Sequence, residues 1–203
     1  MPAGNFKETH DKILNSGLEL FLKNGYERTN LREVCSKAGI TTGAFYRHFE
    51  DKHSLFAELV NPVIQGIDEI YKECGNTFYT IIESKDGMSS EETMNIFIDF
   101  LYDNFDLFKL LLECSDGTAF VDFIDILAIK EDATAKVLYK QYLDAGYKLH
   151  ELNENEVHML NHAYFACIFE TVLHNYPKDK ALQYAKTVQG FFSAGWMKAI
   201  YIS

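Results

Sequence analysis

Residues 29–49, TNLREVCSKAGITTGAFYRHF, decide how the rest of the chain is read. Two short segments with helical periodicity are joined through Ala38, Gly39, Ile40 and Thr41, a turn of the length that lays a second helix steeply across a first. Asn30 is suited to cap the first segment by accepting a hydrogen bond from its free amides. That segment ends at Ala38, before Gly39, which supplies the left-handed conformation the turn needs. Thr41 or Thr42 is suited to cap the second segment, expected to run through His48. Leu31, Val34, Cys35, Ile40, Phe45 and Phe49 can bury a small core. Thr41, Thr42, Gly43 and Ala44 then remain exposed at the start of the second helix, where small polar residues allow close approach to base edges in a major groove.

Working outward, apolar residues recur at three- and four-residue intervals nearly throughout, and only 3 of the 203 residues are Pro, so the chain reads as all-α. A first helix over 6–24 carries Ile13, Leu14, Leu18, Phe21 and Leu22 on one stripe and stops at Gly25. Asp51 is suited to cap a fourth helix carrying Leu55, Phe56, Leu59, Val63 and Ile67, with Pro62 inside it. Longer helices follow, separated at 85–90, 114–118, 149–155 and 175–179, for about nine in all. The expected division is a three-helix helix-turn-helix domain over 1–50 and a larger helical domain over 51–203.

Composition limits the function classes. The chain is 47% hydrophobic and 24% charged, an ordinary globular balance. No uninterrupted apolar run approaches membrane-spanning length, and the start of the chain lacks a signal-type apolar stretch, so a cytoplasmic protein is expected. Cys35, Cys74, Cys114 and Cys167 have no zinc-type spacing and read as buried thiols. The net charge of −11 lies wholly beyond residue 60, while Arg28, Arg32 and Arg47, the only arginines, all fall within the first 50 residues. That asymmetry leaves a polyanionic partner possible for the N-terminal part alone. No GxSxG, HExxH, P-loop or GxGxxG motif is present, and no enzyme, cofactor or metal is expected.

The stretch over residues 13–59 resembles the DNA-binding domain of the TetR family of bacterial transcriptional regulators. The resemblance lies in FLKNGYERTN at the end of the first helix, in KAGITTGAFYRHF, and in DKHSLF opening the fourth helix. It implies a homodimer that places two recognition helices in successive major grooves of a palindromic operator, with an effector site in the second domain. Carried over by position, it implies that Thr29 and Asn30 meet phosphate, that Thr41, Thr42, Gly43 and Ala44 face bases, and that Tyr46, His48 and Lys52 hold the opposite backbone. Arg47 would reach base or phosphate. Cys35 and Asn30 depart from the residues usual in the family without changing the packing or the cap.

Downstream, the last two helices are apolar on more than one face. This suggests a symmetric bundle across a dimer axis, with Tyr164, Ile168, Ala185, Phe192 and Trp196 as interface residues. The aromatic residues Phe97, Phe100, Phe108, Phe123, Tyr142 and Phe165 are candidates to line an effector pocket, with nearby carboxylates able to suit it to a lipophilic cation. Glu154, His158 and His162 share a helix face at metal-ligand spacing, although a solvent-facing or interface role is the expectation. Together these readings describe a ligand-responsive regulator: a repressor released from double-stranded operator DNA by a small apolar or aromatic effector. An activator or co-regulator, or a helical carrier or enzyme that binds no DNA, is the alternative.

Overall fold

The computed structural model describes residues 3–73 and 90–200. Cys74 and most of the expected 85–90 connection lie outside them. The described helices are α1 (Ala3–Asn24), α2 (Leu31–Ala38), α3 (Thr42–Phe45), α4 (Lys52–Glu73), α5 (Ser90–Asp103), α6 (Phe105–Glu113), α7 (Phe123–Asp144), α8 (Glu154–Leu173) and α9 (Lys178–Ile200). None is long and apolar enough to cross a membrane.

By packing, the chain divides into two compact units, one of residues 1–65 and 104–121, the other of residues 66–103 and 122–203. The expected boundary at 50/51 falls elsewhere for a physical reason. The start of α4 completes the core of the first unit, where Leu55 and Phe56 are fully buried and Phe56 packs edge-on against Phe21 at 5.4 Å. Residues 104–121 join the same unit through a hydrogen bond from the Tyr26 N–H to the Cys114 carbonyl (2.9 Å) and through Phe120, which lies against His53 and Phe56. No apolar periodicity within 104–121 reveals which core that segment serves.

Within the first unit, the turn after α2 is built as its sequence dictates. Gly39 adopts φ 68°, ψ 32°, and its N–H and that of Ile40 donate to the Ser36 and Cys35 carbonyls in the last turn of α2, satisfying two of the acceptors that a helix end leaves open. The helix that follows is shorter than expected. α3 holds only four residues, and Tyr46–His48 form a turn in which Arg47 N–H bonds Ala44 O and His48 N–H bonds Phe45 O.

In the second unit, α8 packs between α7 and α9, and α5 packs against α9. Tyr164, Phe165, Ile168 and Phe169 of α8 are buried. The start of α8 carries a full capping box: Asn153 Oδ1 accepts from Glu156 N–H at 3.0 Å, and Glu156 accepts from Asn153 N–H at 2.8 Å, satisfying two donors reciprocally. At Gly66 of α4, a Cβ would stand 2.2 Å from the Phe100 ring, so the absence of a side chain there is what admits that ring.

Four of the five expected interface residues, Tyr164, Ile168, Ala185 and Trp196, are buried within the chain itself, and Phe192 is half-buried. Periodicity marked them as apolar but could not distinguish a partner in the same chain from one in a second copy. The apolar groups left outside on α8 and α9 are instead Met159, Tyr184 and Phe191, the last 73% exposed, beside exposed Ala194 and Gly195.

Gly39→Ala is expected to lower the unfolding free energy by about 1–2 kcal/mol, the cost of a left-handed conformation for a residue with a Cβ. Gly43→Ala, in a helical and uncrowded position, should not; two chemical melts check the contrast.

Candidate nucleic-acid interface

The surface around α3 is assembled from five exposed residues, Thr41, Thr42, Gly43, Tyr46 and Arg47. Each is held by what lies beneath it. Thr41 is the N-cap, its Oγ1 accepting from Ala44 N–H at 3.2 Å. Phe45 and Phe49 are buried, with ring centroids 5.5 Å apart, and Tyr46 leans edge-on against Phe45 at 5.6 Å. The next exposed groups are Asn30, which caps α2 by accepting from Arg32 N–H at 2.9 Å, and the Arg28 and Arg32 side chains. Hydroxyl, phenol and guanidinium groups on a rigid protrusion, with small residues at its tip, suit simultaneous contact with phosphate and base edges. Lys37 is already paired with Glu19 at 2.6 Å.

Three residues expected to face DNA are engaged in the fold instead. Thr29 is buried and its hydroxyl donates to the carbonyls of Gly25 (2.7 Å) and Leu20 (3.1 Å), tying the α1–α2 connection to the end of α1. The Lys52 ammonium donates to Tyr26 O (2.7 Å), Thr29 O (3.1 Å) and Glu27 O (3.4 Å) and lies 4.1 Å over the Tyr26 ring. It thus clamps the same connection onto the start of α4, and burial lowers its pKa, opposed by Glu27. His48 turns inward, stacked on Phe6 at 4.1 Å and 5.6 Å from the His10 ring. Its Nδ1 is buried without a hydrogen-bond partner in the structure. Burial, the neighbouring His10 and Arg47 push its pKa below the ordinary 6.5. His10 is itself held by Glu58 at 2.6 Å. Phe6 and His10, one turn apart on α1, are the signal in the sequence that bears on this inward His48, and their spacing alone does not name the partner.

Of the six aromatic residues expected to line a pocket, Phe97, Phe108, Phe123 and Phe165 are buried in packed core, while Phe100 and Tyr142 are half-buried. Phe97, Phe123 and Phe165 surround Phe169 with centroid distances of 6.1, 5.8 and 6.4 Å. Phe108 belongs to the first unit and is fully buried there; Phe100 lies on Gly66, and Tyr142 lies against Tyr147. A cavity of about 520 Å³ is found elsewhere in the second unit, lined by α7, α8, α9 and the residues before α8; Glu131, Tyr139, Leu152 and Trp196 are among its walls. Glu154 pairs with Lys136 rather than with the histidines. His158 bonds Asp132 at 2.8 Å, and His158 and His162 each lie 3.5 Å from Asp125. The Asp132 bond raises the His158 pKa.

Residues 13–59 match the family model for bacterial regulatory proteins of the tetR family. The chain is similar to the transposon Tn10 TetC protein of Escherichia coli, at 31% identity over 49% of this chain and 48% of that protein. It is also similar to the HTH-type transcriptional regulator AcrR of Shigella flexneri, at 45% identity over 33% and 31%. These matches span half or less of the relatives' length. A transcriptional regulator of the TerR/AcrR family from Aquifex aeolicus shares the fold, with a TM-score of 0.57 at 20% identity over 90% of this chain and 99% of that one.

Lys52→Met keeps the aliphatic stem but removes the charged donor from three carbonyls, and is expected to cost about 1.5–3 kcal/mol of stability, read by chemical denaturation. His48 is half-buried with its Nδ1 enclosed, and desolvation together with His10 and Arg47 places its folded pKa below its unfolded value. The stability it contributes is present above pH 6.5 and declines as pH falls through the folded pKa. Melts at pH 7 and 5.5 should show that loss in the native chain and a smaller one in His48→Phe; NMR should place the His48 midpoint below that of an exposed histidine.

Proposed function

We propose that this protein, whose residues 13–59 form a helix-turn-helix domain of the tetR family, is a ligand-responsive transcriptional regulator. In this reading it is a homodimeric repressor, released from a palindromic DNA operator by a small effector. The observation that carries the reading is the surface formed by Thr41, Thr42, Gly43, Tyr46 and Arg47. These residues are exposed together over a buried Phe45–Phe49 base, at the point where the family match is dense. The similar regulators support it by their description.

A single short recognition segment reads only a few base pairs, so operator affinity requires two copies. Successive major grooves on one face of DNA are about 34 Å apart, and a small change in the spacing of two recognition segments breaks simultaneous contact. The exposed apolar residues Met159, Tyr184 and Phe191, next to small Ala194 and Gly195, form a face suited to a second copy. Helix α4 contributes to both compact units, which makes it the continuous element through which an effector would act. The charge distribution fits: the acidic excess lies beyond residue 60, and the recognition surface carries arginine.

Selection of random duplex DNA by the purified protein tests this. A palindrome with half-sites about one helical turn apart is expected, and failure to enrich any sequence with a folded dimer would contradict the reading. Arg47→Ala should weaken binding and reduce the slope of log affinity against log salt by about one. Thr42→Ala should change which bases are preferred. Phe191→Lys should shift the chain to monomer in sedimentation and abolish operator binding with the fold intact.

A further inference from the structure

We propose that the cavity bordered by α7, α8 and α9 binds an organic monocation with a bulky aromatic or branched body. Its volume of about 520 Å³ lies in the range of small-molecule sites. Its apolar wall includes Leu138, Tyr139, Leu152, Val157, Trp196 and Ile200. Its charged lining is acidic in excess: Glu131, Asp132, Glu151 and Glu154 stand against one lysine, Lys136, which pairs with Glu154 at 3.2 Å. Asp132 is held from outside the lining by His158 (2.8 Å) and Asn161 (2.7 Å), so that Glu131 and Glu151 carry the argument.

Glu131 distinguishes this from a solvated acidic patch. It is 1% exposed and still borders the cavity, with its Oε2 held by the Tyr71 hydroxyl at 2.7 Å. A carboxylate placed in an apolar wall is costly unless charge or hydrogen bonds compensate it. A cation in the cavity adds that compensation; a neutral ligand adds none, and an anion opposes it. Tyr139 and Trp196 contribute aromatic rings to the wall, which favour a cation with a large weakly hydrated body over a compact ammonium.

Tyr71 lies on α4, so a cation drawn to Glu131 acts by its charge on the carboxylate that accepts from the Tyr71 hydroxyl, and a shift of that carboxylate toward the cation lengthens the bond. Weakening that bond releases α4 at this point. The effect on DNA rests on the regulator reading above; the binding itself does not.

The test uses the full-length protein with methyltriphenylphosphonium and its neutral counterpart of similar shape, triphenylphosphine oxide. Binding is followed by calorimetry and by fluorescence of Trp196, the single tryptophan of the chain. The phosphonium is expected to bind saturably and at least about tenfold tighter than the oxide, with Glu131→Gln removing most of that preference. Glu151→Lys, at an exposed position of the lining, reads the same charge in a chain whose core is untouched and should also weaken the phosphonium alone. Equal binding of the two compounds, no saturable phosphonium binding, or phosphonium affinity unchanged in both variants would overturn the proposal.

In a second arm, the duplex enriched by selection is titrated with and without saturating phosphonium. A several-fold fall in DNA affinity that Glu131→Gln removes is expected, and an unchanged affinity overturns the link from cavity to DNA. A chain that discriminates the two compounds but enriches no duplex supports the cation site while contradicting the regulator reading.

Discussion

Burial of Phe45 and Phe49 is the constraint on which the rest of the candidate interface depends. α3 has four residues, far below the length at which a helix holds itself in water, so its shape must come from packing. Phe45 is fully buried and Phe49 nearly so. With the Gly39 turn before them and the Thr41 cap above, they leave the segment one arrangement. In that arrangement Thr41, Thr42, Gly43, Tyr46 and Arg47 all point outward. A reading surface held this way has little conformational freedom left to lose on binding, which favours affinity for a fixed target.

Charge is divided between holding the fold and presenting a surface. Lys52 and His48, both near the candidate interface, serve the fold: one clamps three carbonyls, the other is half-buried and stacked on Phe6, with its pKa lowered. The exposed cations left nearby include Arg28, Arg32 and Arg47, whose planar, permanently charged groups are the better partners for phosphate and base edges. With no net charge over residues 1–60 and the whole −11 beyond them, the part that carries the motif is the part that does not repel a polyanion.

Much of this was legible in the sequence where local chemistry decides. α2 runs from Leu31 to Ala38 as its cap and its glycine require, and α8 and α9 begin within two residues of the expected breaks at 149–155 and 175–179. The exposure of Thr41, Thr42 and Gly43 followed from the same local logic, while Ala44, expected to be exposed with them, is half-buried. Where the sequence misled, the deciding contact is long-range. Thr29 and Lys52 look like surface polar residues until the carbonyls of the α1–α2 connection are brought beside them. Tyr164 and Trp196 look like interface residues until the chain's own core closes over them. Glu131, in the charged run EDATAK, has nothing local to mark it as the buried acid of the second unit. Periodicity reports that a side chain is apolar or polar; it does not report what is packed against it.

The most direct measurement of the central claim is an NMR titration of the protein with the duplex it selects, following backbone amides of the first unit. The account predicts large shifts at Thr41, Thr42, Gly43, Tyr46 and Arg47, smaller ones at Asn30 and Arg32, and little change at Thr29 and in the Lys52 clamp. Shifts concentrated away from residues 41–47, or a bound state in which the Thr29 and Lys52 hydrogen bonds are broken to reach the DNA, would contradict it.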